Sequence, residues 1–148
     1  MKLLVIGLIV AVAAAVVALV VVPRGDDPAA TSTSTSESEL ARFSDRYQPY
    51  SEQALAEASA DEKVVLFFSA AWCSTCTVLR DDIAANQQSI PEGVLVLLVD
   101  FDDSTELKQQ YEVVYQHTLV QVDRTGQGIA RWQLSRSLDE LLATIVEV

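Results

Sequence analysis

The sequence predicts an α/β fold after residue 40: a central mixed sheet, mostly parallel, covered by helices on both faces. Three observations predict it. Lys63–Ser69 and Val94–Asp100 are almost continuously apolar, as in strands buried on both faces, rather than alternating. Helix-forming segments stand before, between and after these runs, and strands separated by helices pair in parallel. Residues 119–123 and 128–132 flank the short turn Arg124-Thr125-Gly126-Gln127, which adds an antiparallel edge.

Residues 1–22 precede the domain. From 3 to 22 the chain is an unbroken run of apolar residues and glycine behind Lys2. As a helix this run spans about 30 Å, the thickness of a bilayer's hydrocarbon core. It is longer than the apolar core of a cleaved signal peptide, and no clear small-x-small site precedes Pro23. An uncleaved signal anchor or single-pass transmembrane helix is therefore favoured over cleavage. No cysteine follows the run, which excludes a lipoprotein anchor. Lys2 and the amino terminus outweigh Arg24, so the domain is expected on the extracytoplasmic side of the membrane. Residues 23–39 read as a linker. Thr31-Ser32-Thr33-Ser34-Thr35-Ser36 has nothing apolar to bury and suits a flexible tether.

The domain, 40–148, opens with a helix over 51–60, with Ser51 as its N-cap. The first buried strand follows. A helix over 73–86 carries Val78, Leu79 and Ile83 on one side, and then comes the second buried strand. Residues 104–111 form a helix with Ser104 as its candidate cap. After the hairpin, 137–146 is an amphipathic closing helix with Leu138, Leu141, Leu142 and Ile145 in register. The expected order is α-β-α-β-α-β-β-α.

Both cysteines of the chain lie in Cys73-Ser74-Thr75-Cys76, at the junction of a strand and a helix. A thiolate at a helix N-terminus is stabilised by unpaired N–H groups and the helix dipole. The first cysteine is then fit to attack, and the second to resolve a mixed disulfide. Structural zinc needs four ligands, and the chain offers two cysteines and one histidine. A purely structural disulfide here closes a loop too short to remove much chain entropy. A redox dithiol is the favoured reading.

Around these cysteines the chain resembles the thioredoxin superfamily, from about residue 51 to 148. The carriers are Phe68-Ser69-Ala70-Ala71-Trp72-Cys73-Ser74-Thr75-Cys76, then Val99-Asp100-Phe101-Asp102, then Tyr111-Glu112-Val113 leading into Gln116-His117-Thr118-Leu119-Val120. The resemblance implies a thioredoxin-like fold and disulfide exchange with protein cysteines. Cys73 is the implied nucleophile and Cys76 the resolving residue. Trp72 and Gln116-His117-Thr118 are the candidates for substrate contact and tuning. No cofactor is implied beyond the Cys73–Cys76 disulfide. Partners are protein thiols and disulfides, and an extracytoplasmic or membrane redox partner.

Three departures stand out. His117 replaces the family's cis-proline, and a cis bond before a non-proline residue costs about 2.5–4 kcal/mol. The Gln116–His117 peptide is therefore either strained or trans. Phe67 stands in place of a buried aspartate, and Leu98 in place of a lysine. Without the acid, deprotonation of Cys76 lacks its usual helper. As imidazolium, His117 stabilises a Cys73 thiolate; as a neutral ring it joins Cys73 and Cys76 in a donor set suited to copper(I). That gives a copper-handling module as an alternative, and a redox-inactive interaction domain as another. Asp81 and Asp82 read as a solvated face, with Arg80 free to pair with them or with the thiolate.

The formal charge is −11, and without Lys2 the remaining 9 basic and 21 acidic residues leave −12. This excludes a nucleic-acid role built on a basic patch and disfavours flat docking on an anionic membrane.

Overall fold

A computed structural model describes residues 42–147. The expected membrane helix and linker lie outside the described residues. Among the described residues no helix is long and apolar enough to cross a membrane.

The order is β1 (Tyr47–Pro49), α1 (Glu52–Glu57), β2 (Lys63–Ser69), α2 (Ser74–Asn86), a 3-10 turn (Gln87–Ser89), β3 (Val94–Asp100), α3 (Thr105–Gln110), β4 (Thr118–Val122), β5 (Gly128–Gln133) and α4 (Leu138–Leu142). The five strands form one sheet in the order β1-β3-β2-β4-β5. β1, β3 and β2 run parallel, while β4 is antiparallel to β2 and β5 to β4. The mixed α/β sheet is therefore as expected, with one added strand. β1 is short, ends in proline and lies at the edge, where a missing N–H costs the ladder nothing.

The continuous apolar run of β2 supplies both faces at once. Val65 and Phe67 join Leu79 and Ile83 of α2 and Leu138 and Leu141 of α4 in one core. Val64, Leu66 and Phe68 face the other side, with Leu97, Tyr111 and Val120, under Leu55 of α1 and Leu107 of α3. Period-two alternation on a strand enclosed on both faces explains why no polar residue interrupts it.

Several boundaries differ from expectation. Ser51 caps α1 by accepting from the Ala54 N–H at 3.0 Å, but Ala58 turns extended and ends the helix early. Ser104 occupies the N-cap position of α3 without a side-chain cap bond. Asp100 Oδ1 accepts from the N–H groups of Asp102 and Asp103 just before it. Val78 is 56% exposed, not on the buried side with Leu79 and Ile83. α2 buries Cys76, Leu79 and Ile83, an i, i+3, i+7 stripe that leaves Val78 outside. α4 stops at Leu142 because the buried amide of Gln121 takes both Val146 backbone groups, at 2.9 and 2.8 Å, and draws the chain off the helical path.

Candidate functional site

β2 ends at Ser69, beside Asp100 at the end of β3. The chain then turns through Ala70-Ala71-Trp72 into α2. Cys73 is the N-cap of that helix, with φ −86° and ψ 108°. Its Sγ accepts from the Cys76 N–H at 3.1 Å, so the sulfur takes the place of a capping oxygen. Cys73 and Cys76 form a disulfide across a Cα separation of 5.2 Å. Cys73 is 5% exposed and Cys76 fully buried.

The antiparallel strands bring the remaining parts to the same place. Thr118, the first residue of β4, pairs with Phe68, and Gln133, the last of β5, pairs with Thr118. The segment before β4 and the loop after β5 thus both meet the carboxyl end of β2. His117 enters through its N–H, which donates to Phe68 O at 2.8 Å. No cis peptide bond occurs among the described residues, so the Gln116–His117 peptide is trans. The cost falls on φ instead: His117 lies at +59°, a left-handed conformation sparsely used by non-glycine residues.

The His117 ring is held at both nitrogens. Nε2 lies 2.7 Å from Ser135 O, and Nδ1 lies 3.0 Å from Thr75 Oγ1. A carbonyl only accepts, so Nε2 carries a hydrogen. Thr75 Oγ1 in turn lies 3.3 Å from Cys73 Sγ. The tilted ring of Phe67 closes one side, 5.5 Å from His117. His117 itself is 2% exposed.

Other candidate residues fall apart from this cluster. Trp72 is 64% exposed, and its Nε1 donates to Asp102 Oδ2 at 2.9 Å rather than packing on the sheet. Gln116 is half-buried and makes no side-chain hydrogen bond to the cluster. Thr118 is buried, its hydroxyl donating to Tyr115 O and accepting from Gln133, which fixes the loop. Arg80 reaches neither acid nor sulfur; it donates to Thr77 Oγ1 at 3.0 Å. Asp81 pairs with Arg42, and Asp82 accepts from the Leu138 N–H at 2.7 Å, so only the first of the two belongs to a solvated face. Thr75 and Ser135 are the residues that sequence reasoning missed. Thr75 lay inside the motif, but Ser135 acts through its backbone and leaves no side-chain signal.

Cys73, Cys76 and His117 bring their ligand atoms within 4.8 Å of one another. In the disulfide form the sulfurs bond each other and Nδ1 is hydrogen-bonded, so copper(I) requires prior reduction and displacement of Thr75. Two thiolates around a single positive ion also leave net negative charge in a buried site. No Lys or Arg side chain among the described residues hydrogen-bonds to the three.

A family model described as Thioredoxin matches residues 48–147. The chain is similar to Trxlp from Edwardsiella tarda, at 27% identity, covering 68% of this chain and 99% of that one, with a TM-score of 0.56. It is similar to the germline-specific thioredoxin Deadhead from Drosophila melanogaster at 25% identity, covering 62% and 85%, with a TM-score of 0.50. NaTrxh from Nicotiana alata, at 20% identity, covering 66% and 88% with a TM-score of 0.55, shares the fold. No curated protein matches the chain in sequence.

Proposed function

The chain belongs to the thioredoxin family, and from that premise we propose that it is a thiol–disulfide oxidoreductase acting on protein cysteines. The observation that carries this reading is the Cys73–Cys76 disulfide at the N-terminus of α2, with the first sulfur already on a backbone N–H. Cys73 is the more accessible of the pair and lies at the helix end that favours negative charge. Its thiolate attacks a substrate disulfide, one substrate sulfur leaves as thiolate, and Cys76 then attacks Cys73 to release the second.

Exposed apolar residues support a protein substrate. Trp72 adjoins Cys73, Val114 and Tyr115 lie in the segment that ends at His117, and Leu134 precedes Ser135; each is at least 64% exposed. Residues 3–22 support a membrane tether, with the domain outside the cytoplasm. Protease accessibility of the domain in intact cells tests that placement.

Insulin reduction by the full-length chain tests the chemistry. Cys73→Ser is expected to abolish turnover, and Cys76→Ser to leave a trapped mixed disulfide. Turnover that survives Cys73→Ser removes the nucleophile assignment, and a parent chain that does not reduce insulin leaves a redox-inactive interaction domain.

A further inference from the structure

We propose that Thr75 and His117 form a proton relay that activates Cys73, with Ser135 fixing the ring. This rests on the oxidoreductase reading and names how that site handles its proton. The typical family member places a buried acid on β2 that helps to deprotonate the resolving cysteine, and here Phe67 fills that position with no exposure and no proton to exchange. The relay serves the other cysteine, Cys73, through Thr75 and His117.

Hydrogen-bond bookkeeping gives its direction. Nε2–H donates to Ser135 O at 2.7 Å, which fixes the tautomer of a neutral ring and leaves Nδ1 bare. A bare Nδ1 accepts, so the Thr75 hydroxyl donates to it across 3.0 Å. With its hydrogen committed there, Thr75 Oγ1 presents a lone pair to Cys73 Sγ at 3.3 Å. In the reduced protein that lone pair receives the Cys73 S–H. The nucleophile, the base and the group that orients the base thus stand in a line, with a hydroxyl inserted between the first two.

The step balances without an added reagent. The S–H proton of Cys73 passes to Thr75 Oγ1 as the Thr75 proton passes to His117 Nδ1. The products are a Cys73 thiolate and an imidazolium, and Thr75 is again a neutral hydroxyl, now donating to the sulfur. The thiolate attacks the substrate disulfide; the S–S bond breaks, and its electron pair leaves with the substrate sulfur. That sulfur takes the imidazolium proton back through Thr75. Cys73 and His117, both buried, together carry no net charge at either stage, so the imidazolium offsets part of the desolvation cost of the thiolate.

The surroundings contain no better base. From α2 the titratable groups facing His117 are Cys73 and Cys76. From β2 they are none, Phe67 and Phe68 being apolar. Its own segment contributes Tyr115, two residues before, and the loop after β5 contributes Arg136, the residue after Ser135. None of the ion pairs among the described residues involves His117. His117 thus acts on Cys73 as a base through Thr75, without touching the sulfur itself. Its backbone sits at φ +59°, in the sparsely populated left-handed region, while both ring nitrogens are hydrogen-bonded.

The test is the pH dependence of Cys73 alkylation by iodoacetamide in the reduced full-length protein. Thr75→Val and His117→Gln are each expected to move the half-maximal point to higher pH. Near pH 6.5 each should be about tenfold slower than the parent chain, and above about pH 9.5, past the ordinary thiol range, all should converge. Thr75→Ser, which keeps the hydroxyl, should restore the parent profile. Because both residues are links in one chain, the double variant should be no slower than either single one. Additive slowing, or a Thr75→Val profile that matches the parent, overturns the relay. Thr75 is exposed, so its variants carry the test if His117→Gln does not fold. Alkylation reads Cys73 whether or not the protein turns over substrate. A failure of the relay is thereby distinct from a failure of the exchange reading, which would show as the absence of a reversible Cys73–Cys76 disulfide.

Discussion

Phe67 sets the chemistry of the site by what it withholds. It pairs with Leu98 across β2 and β3, so the two positions where the typical thioredoxin carries an aspartate and a lysine are apolar together. Phe67 is wholly enclosed with Cys76, Leu79 and Leu119, so its removal opens a cavity under the disulfide. Phe67→Ala is expected to cost about 3–5 kcal/mol, read as a lower urea midpoint with an unchanged slope. Tyr47 gives a different signature. Burial pushes its phenol up to about 12, with Arg80 and Arg42 pulling the other way. A folded-state value above the unfolded one means that its contribution is complete below about pH 10 and is lost as pH rises from about 10 to about 12. Tyr47→Phe should flatten alkaline unfolding over that interval. Tyr111, also raised by burial, leaves a smaller residual slope. An unchanged alkaline limb in Tyr47→Phe would refute the assignment.

At the scale of elements, α4 depends on its neighbours more than on its own sequence. Only five residues are helical, and two first-turn donors are met from different directions. Ser137 Oγ accepts from Glu140 N–H, while Asp82, on α2, accepts from Leu138 N–H. Asp82→Ala leaves that half-buried donor unmet and should cost about 1–2 kcal/mol, with loss of amide protection at Leu138 and in the α4 turn. Protection unchanged from the parent would show that water replaces the carboxylate. These cross-element bonds explain which boundaries the sequence conceals. Local propensity locates β2, α2 and β3 almost to the residue, because their own apolar pattern decides them. It overextends α4, where Gln121 on β4 captures Val146, and it misses β1, whose three residues pair only because β3 offers an edge.

The whole molecule explains the rest of the site. Cys73 and Cys76 were legible because motif and helix start are contiguous in sequence. The partnership of Thr75, His117 and Ser135 was not, because it exists only where antiparallel β4 and β5 return to the carboxyl end of β2. That convergence has a thermodynamic consequence for the disulfide. An imidazolium–hydroxyl chain that holds the Cys73 thiolate stabilises the reduced protein and does little for the oxidised one. A charge-assisted hydrogen bond of roughly 1.5–3 kcal/mol converts, for a two-electron couple, to about 30–60 mV. Thioredoxin itself lies near −270 mV, so the full-length chain, equilibrated in glutathione buffers under metal-free conditions, is expected at a less negative value. His117→Gln should then shift the potential to more negative values by that same interval, and Thr75→Val should follow it. A parent value at or below −270 mV, unmoved by either substitution, would mean that the chain is poised as a reductant. His117 would then stabilise the two redox forms equally, and the driving force would have to come from the substrate.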